Sequence, residues 1–291
     1  MSDPATLRAR AEGLAEALPP LLADAEHLAQ AVLLGEHGRR RAGAGDEFWQ
    51  YRPAHAGDTA RMVDWRRSGR TDAHFVREKE WQAAQSVLLW VDDSASMDFS
   101  GTRTHPSKAA RARVLAMAIA VLLTRGGERV GLAGTGLPPR RGPLQLLRIA
   151  ETLAGAGGAA DYGAPDARGM APHSRVVLFS DFLGDPGPVE KTLTEAADRG
   201  VKGAMLQILD PTEEAFPFDG RTIFESMGGS LRHETLKAGD LRGRYLDRLA
   251  ARKARLADLA RATGWHYSTH HTGEPAQASL LWLYRALERV H

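Results

Sequence analysis

The chain contains no cysteine, so thiol nucleophiles, disulfides, zinc ribbons and cysteine-held clusters are excluded, and any metal must be held by oxygen or imidazole. It also lacks a long apolar run. The longest, Val114 to Leu123, is about half of the roughly 20 residues a membrane helix needs, and no membrane span is expected. Charge of one sign is scarcely in excess: Lys+Arg of 38 against Asp+Glu of 36 leave a formal net charge of +2. That is too little for a general nucleic-acid surface, and the short run Arg39, Arg40 and Arg41 does not alter the expectation of no nucleic-acid partner. Neither Gly126-Gly127 nor Gly155 to Gly158 forms a dinucleotide fingerprint or a Gly-Lys-Ser/Thr phosphate loop, so no bound nucleotide is expected. The first residues mix Asp3, Arg8, Arg10 and Glu12 without the basic-then-apolar order of a secretory signal, which makes cytoplasmic residence the expectation.

What is present reads as an ordinary globular protein, with 291 residues, 43% hydrophobic and 25% charged. That length supports a sizeable core without covalent staples. Three stretches differ in texture. Residues 1–34 carry leucines at helical spacing, interrupted by Pro19-Pro20, and predict a short helical segment. Residues 35–85 are rich in glycine and arginine, then polar and aromatic, with strand signal only around Ala73 to Arg77. From 86 to 291 strands alternate with helices, the pattern of an open, mostly parallel α/β sheet with helices on both faces. Ser86 to Val91 and Arg175 to Phe179 are continuous apolar runs suited to strands buried on both sides. Arg221 to Ser226 and Ser230 to Thr235 read as a hairpin at the sheet edge.

The chemistry concentrates after the first of these strands. In Val91-Asp-Asp-Ser-Ala-Ser-Met97, the side chains of Asp92, Ser94 and Ser96 stand at alternate positions and point one way in an extended segment. A carboxylate and two hydroxyls make a hard, oxygen-only half-shell suited to Mg2+ or Mn2+, which keep several waters. Asp181 ends the later strand, and in an open parallel sheet both carboxylates sit at the carboxyl edge where strand order reverses. The structural alternative is that Asp92 and Asp181 cap the helices that follow, with Ser94 and Ser96 as ordinary loop hydroxyls.

Asp92-x-Ser94-x-Ser96-Met97 with Ser180-Asp181 resembles the metal-ion-dependent adhesion site of von Willebrand factor A domains, where a divalent cation completes its coordination with an acidic residue of a partner protein. Gly43-Ala-Gly-Asp-Glu-Phe48, Tyr51-Arg52, Gly57-Asp58, Arg61-x-x-Asp64-Trp65, Asp210-Pro-Thr-Glu213 and Gly264-Trp265 are similar to the signature of a bacterial family, domain of unknown function fifty-eight (DUF58). The resemblance implies a von Willebrand factor A-like, Rossmann-like fold. Members commonly occur beside MoxR-type AAA+ ATPases, so it also implies such an ATPase as partner in complex assembly or maturation. The implied metal set is Asp92, Ser94, Ser96 and Asp181, and the implied partner contacts are these four with Asp161. One departure stands out: the family's loop threonine is replaced by Ala160, which cannot ligate, so a weakened or absent cation site is expected, with Asp161 or a water as substitute.

The functional expectation is a non-enzymatic protein-interaction module. A metal-dependent phosphohydrolase using Asp92 as nucleophile is the alternative, although the second carboxylate of an Asp-x-Asp pair is here Ser94. Trp65 is expected to bury against the sheet domain, with Asp58, Arg61, Asp64 and Arg70 paired and capping turns; a docking surface is the functional alternative for this segment. His266, His270 and His271 are expected as surface or edge-strand residues.

Overall fold

The computed structural model describes residues 25–30, 48–53, 63, 65, 75–79 and 85–288. Two compact units emerge: Glu36–Ala84, and Met1–Gly35 together with Gln85–His291. In the smaller unit, β1 (Phe48–Pro53) pairs antiparallel with β2 (Phe75–Lys79), Tyr51 standing opposite Arg77. Only β2 is expected from the sequence. Trp65 departs from expectation, because it is 59% exposed; its indole does not take the buried place predicted for it. The expected pairing of Asp58, Arg61, Asp64 and Arg70 falls outside the described residues.

The larger unit is built on six strands: β3 (Ser86–Val91), β4 (Arg129–Leu132), β5 (Leu137–Arg140), β6 (Arg175–Ser180), β7 (Lys202–Leu209) and β10 (His266–His271). Their spatial order is β10-β7-β6-β3-β4-β5. All neighbours are parallel except β4 and β5, which gives the open, mostly parallel sheet expected. β5 has the sequence Leu-Pro-Pro-Arg and lies at an edge, where prolines that donate no ladder bond are tolerated.

Period-2 alternation sorts the sheet's side chains into two cores. Val87, Leu89, Val177, Phe179 and Leu206 face α1 (Lys108–Arg125), α2 (Pro143–Gly155) and α6 (Ala276–Glu288). Leu88, Val176, Leu178 and Met205 face α3 (Pro186–Asp198) and α5 (Arg242–Thr263). Helices thus cover both faces, and a strand such as β6, buried at every position, must be apolar throughout. Ala25, Leu28 and Ala29 of the helical residues 25–30 join the first core; the rest of the predicted N-terminal helical segment lies outside the described residues.

The strand order places one reversal between β3 and β6, where successive connections leave to opposite sides. In such a sheet the loops at the strands' carboxyl ends part and leave a crevice. The short helix α4 (Pro211–Ala215) and a hairpin, β8 (Thr222–Glu225) with β9 (Arg232–Thr235), follow β7. The hairpin forms as predicted but is a separate two-stranded sheet, not an extension of the main sheet's edge.

Candidate functional site

Three adjacent strands, β3, β6 and β7, are each followed by an aspartate at or next to the strand end: Asp92, Asp181 and Asp210. Each folds its own loop. Asp92 Oδ1 accepts the Ser94 N–H at 2.9 Å, Asp181 Oδ1 accepts the Leu183 N–H at 3.0 Å, and Asp210 Oδ1 accepts the Thr212 N–H at 2.8 Å. These bonds hold turns and use one oxygen of each predicted carboxylate; neither aspartate caps the helix that follows, the N-caps being Ser94 for residues 95–98 and Asp185 for α3.

Asp92 Oδ2 crosses the switch point to accept the Ser180 hydroxyl at 2.6 Å. Asp92 is 2% exposed. Burial pushes its carboxyl above the usual range, while the bonds from Ser180 and Ser94 pull against that shift. Ser94 Oγ and Ser96 Oγ stand 3.3 Å apart and bond one another. The loop carrying Ala160 lies against this turn as expected: the Ala160 carbonyl accepts the Ala95 N–H and the Asp161 carbonyl accepts the Ser96 N–H, both at 2.9 Å. Contact is so close that a Cβ on Gly163 would lie 2.2 Å from Asp92 Oδ1, so only glycine fits there. After β6 the chain turns through Phe182 at φ 49°, a left-handed conformation unfavourable for a bulky residue and typical of constrained functional loops.

Asp181 meets a residue the sequence reading missed. Lys108, the first residue of α1, is 1% exposed, and its Nζ donates to Asp181 Oδ2 at 2.8 Å and to Glu213 Oε1 at 2.6 Å. Burial alone would lower the lysine's pKa; the two carboxylates overcome it and hold the ammonium above its ordinary range. Glu213 in turn accepts the Asp210 N–H at 2.8 Å through Oε2 and completes the capping box of α4. One ammonium thus ties the end of β6 to the helix after β7.

Asp161 does not face the predicted ion position. Its carboxylate accepts the Gly228 N–H at 2.6 Å and the Ser226 hydroxyl at 3.0 Å, and it also bonds the Ser230 hydroxyl, so the expectation of a substitute ligand is replaced by that of a hairpin anchor. Ser96, the most exposed of the four predicted ligands, is itself only 8% exposed.

The donors therefore do not fit the divalent ion that the family resemblance implies. Asp92 has both oxygens bonded, the two hydroxyls bond each other, the threonine is absent, and a positive charge already sits on Asp181. Among the described residues, no group of three or more His, Asp or Glu side chains is arranged to hold a metal.

Beside this network a cavity of about 630 Å³ opens, with Lys108, Asp181 and Glu213 among the residues lining it. Its wall is aromatic: Phe216 packs on Phe224, Phe218 and Tyr245, with ring centroids 4.9 to 5.6 Å apart. Phe224 of the hairpin packs into this wall, whereas Met227 is 51% and Leu231 61% exposed, followed by Leu236 at 72%. The histidines divide. His271 bonds Glu214 at 2.6 Å, whereas His270 is 1% exposed and bonds Ser279; both lie on the edge strand β10, within the expected surface or edge-strand placement.

Among the described residues no helix is long and apolar enough to cross a membrane. Uncharacterized proteins of Mycobacterium tuberculosis and Mycobacterium bovis are each 31% identical to the chain, covering 86% of it and 82% of their own length. An aerotolerance-related membrane protein from Bacteroides fragilis matches 71% of the chain over 100% of the solved structure, at 14% identity and a TM-score of 0.41. The family model described as protein of unknown function DUF58 matches residues 50–255, and with most of its length so matched the chain belongs to the DUF58 family.

Proposed function

We propose that the protein is a non-catalytic binding module whose carboxyl edge docks a partner protein, with a MoxR-type AAA+ ATPase as the partner that the family resemblance implies. The observation that carries this reading is the hairpin. It presents Ile223, Met227 and Leu231 to solvent while Asp161 fastens it to the loop beside Asp92. Large apolar side chains left in solvent on a braced element suit a contact surface, and their solvation is a cost that a partner removes. The buried set Asp92, Ser94, Ser96 and Asp181 then acts from beneath, by fixing the loops that carry this surface.

The phosphohydrolase alternative needs an Asp92 oxygen free to attack phosphorus. Both of its oxygens are held by protein donors, which favours the binding reading. Photo-cross-linking tests it: a reactive group at position 227 is expected to capture the purified ATPase, and one at Lys202, exposed at the opposite edge of the sheet, is not. Capture from 202 alone, or phosphate release that Asp92→Ala abolishes, would overturn the reading.

A further inference from the structure

Lys108 is placed where a lysine is costly. It follows the helix N-cap Ser107, at the positive end of the α1 dipole, which disfavours a cation. It is also buried, and an ammonium withdrawn from water must be repaid by paired charge and well-directed hydrogen bonds. Side chains at a helix start lean toward the N-terminus, so the four-carbon stem of Lys108 reaches back to the carboxyl edge of the sheet. There Asp181 takes one N–H, Glu213 takes another, and the Phe99 ring lies 5.6 Å from the nitrogen.

We infer that Lys108 is the resident cation of this site, holding the place between Asp181 and Glu213 that a divalent ion would otherwise neutralise, so that the carboxyl edge is assembled without metal. Two carboxylates from different loops, brought together in a buried position, would repel one another if left unpaired. A divalent ion is one answer to that repulsion, and a covalently tethered ammonium is another. The tethered charge needs no ion from solution and is not removed by a chelator. It also repels any ion that Asp181 could help to ligate, which leaves Asp92, Ser94 and Ser96 to bond with one another and with Ser180 as observed.

This inference rests on the docking reading only for where a partner binds; the metal question is answered on the isolated protein. Mn2+ uptake is followed by loss of the free-ion electron paramagnetic resonance signal, and Mg2+ by thermal melting. Wild type is expected to leave the Mn2+ signal unchanged and to melt at the same temperature with or without Mg2+. Lys108→Ala, which vacates the space between Asp181 and Glu213, is expected to gain Mn2+ binding and to melt roughly 2–5 °C higher when saturated with Mg2+. Wild-type uptake that disappears in Asp181→Asn would overturn the inference, as would a folded Lys108→Ala that takes up no ion. If Lys108→Ala does not fold in the absence of metal, recovery of its fold by Mn2+ supports the inference and the wild-type titration decides it otherwise. Failure to bind the ATPase would count against the docking reading and leave these results untouched.

Discussion

His270 shows how a single buried ring sets a pH limit on the fold. Its Nδ1 bonds the Ser279 hydroxyl at 2.9 Å, and it lies at 1% exposure. Burial first, then the positive charge of Arg111, depress its pKa to about 4, with Glu274 pulling the other way. In the unfolded chain the ring titrates near the ordinary value of about 6.5. Between those values the unfolded state binds the proton that the folded state refuses, so stability falls as pH drops through this window. A separation of that size corresponds to about 3 kcal/mol by pH 4. Urea unfolding of wild type and His270→Gln at pH 7, 5.5 and 4 is expected to show a shallower decline in the variant; parallel declines would mean that the ring is already charged in the fold.

Elements show the same division between local and distant causes. The β8–β9 hairpin depends on Asp161 for three hydrogen bonds and adds no strand to the main sheet. Asp161→Ala is therefore expected to speed amide exchange at residues 222–235 by about tenfold or more, since losing even one such bond costs about 1 kcal/mol. Exchange in β3 and β6 should stay as it is. Unchanged hairpin exchange would show that the aromatic packing holds it alone. The hairpin's two arms were legible because they flank Gly228-Gly229, but its separation from the main sheet's edge was not, because turn chemistry specifies a neighbour in sequence and says nothing of the partner sheet. β3 and β6 were legible as continuous apolar runs. β5 was not, because Leu-Pro-Pro-Arg has the residues that argue against a strand everywhere except an edge. At the site, Asp92, Ser94, Ser96 and Asp181 follow from their positions after strands. Lys108 did not, since a basic residue at a helix start reads as solvated and its partner Glu213 lies 105 positions away; the Asp210-Pro-Thr-Glu213 spacing of a capping box was the one local sign that Glu213 is fixed in place.

For the whole molecule, the sheet's doubly wound order brings Asp92, Asp181 and Asp210 to one edge, and each carboxylate secures a loop. In the docking role proposed for it, the buried hydrogen-bonded network serves as a scaffold for the exposed apolar hairpin, with the charge needed for its assembly supplied by Lys108. Binding through this surface should tolerate removal of divalent ions and fail when the apolar hairpin is made acidic. The most direct measurement is calorimetric titration of the purified MoxR-type ATPase into the protein, its nucleotide state held constant, with and without a chelator, and into Met227→Asp/Leu231→Asp. Both substituted side chains are largely exposed, so the fold is expected to persist. The account predicts equal affinity with and without chelator, and a loss of at least about tenfold in the hairpin variant, as expected where exposed apolar anchors are replaced by charge. Undiminished affinity in a folded hairpin variant, or binding to wild type that the chelator abolishes through this protein, would contradict it.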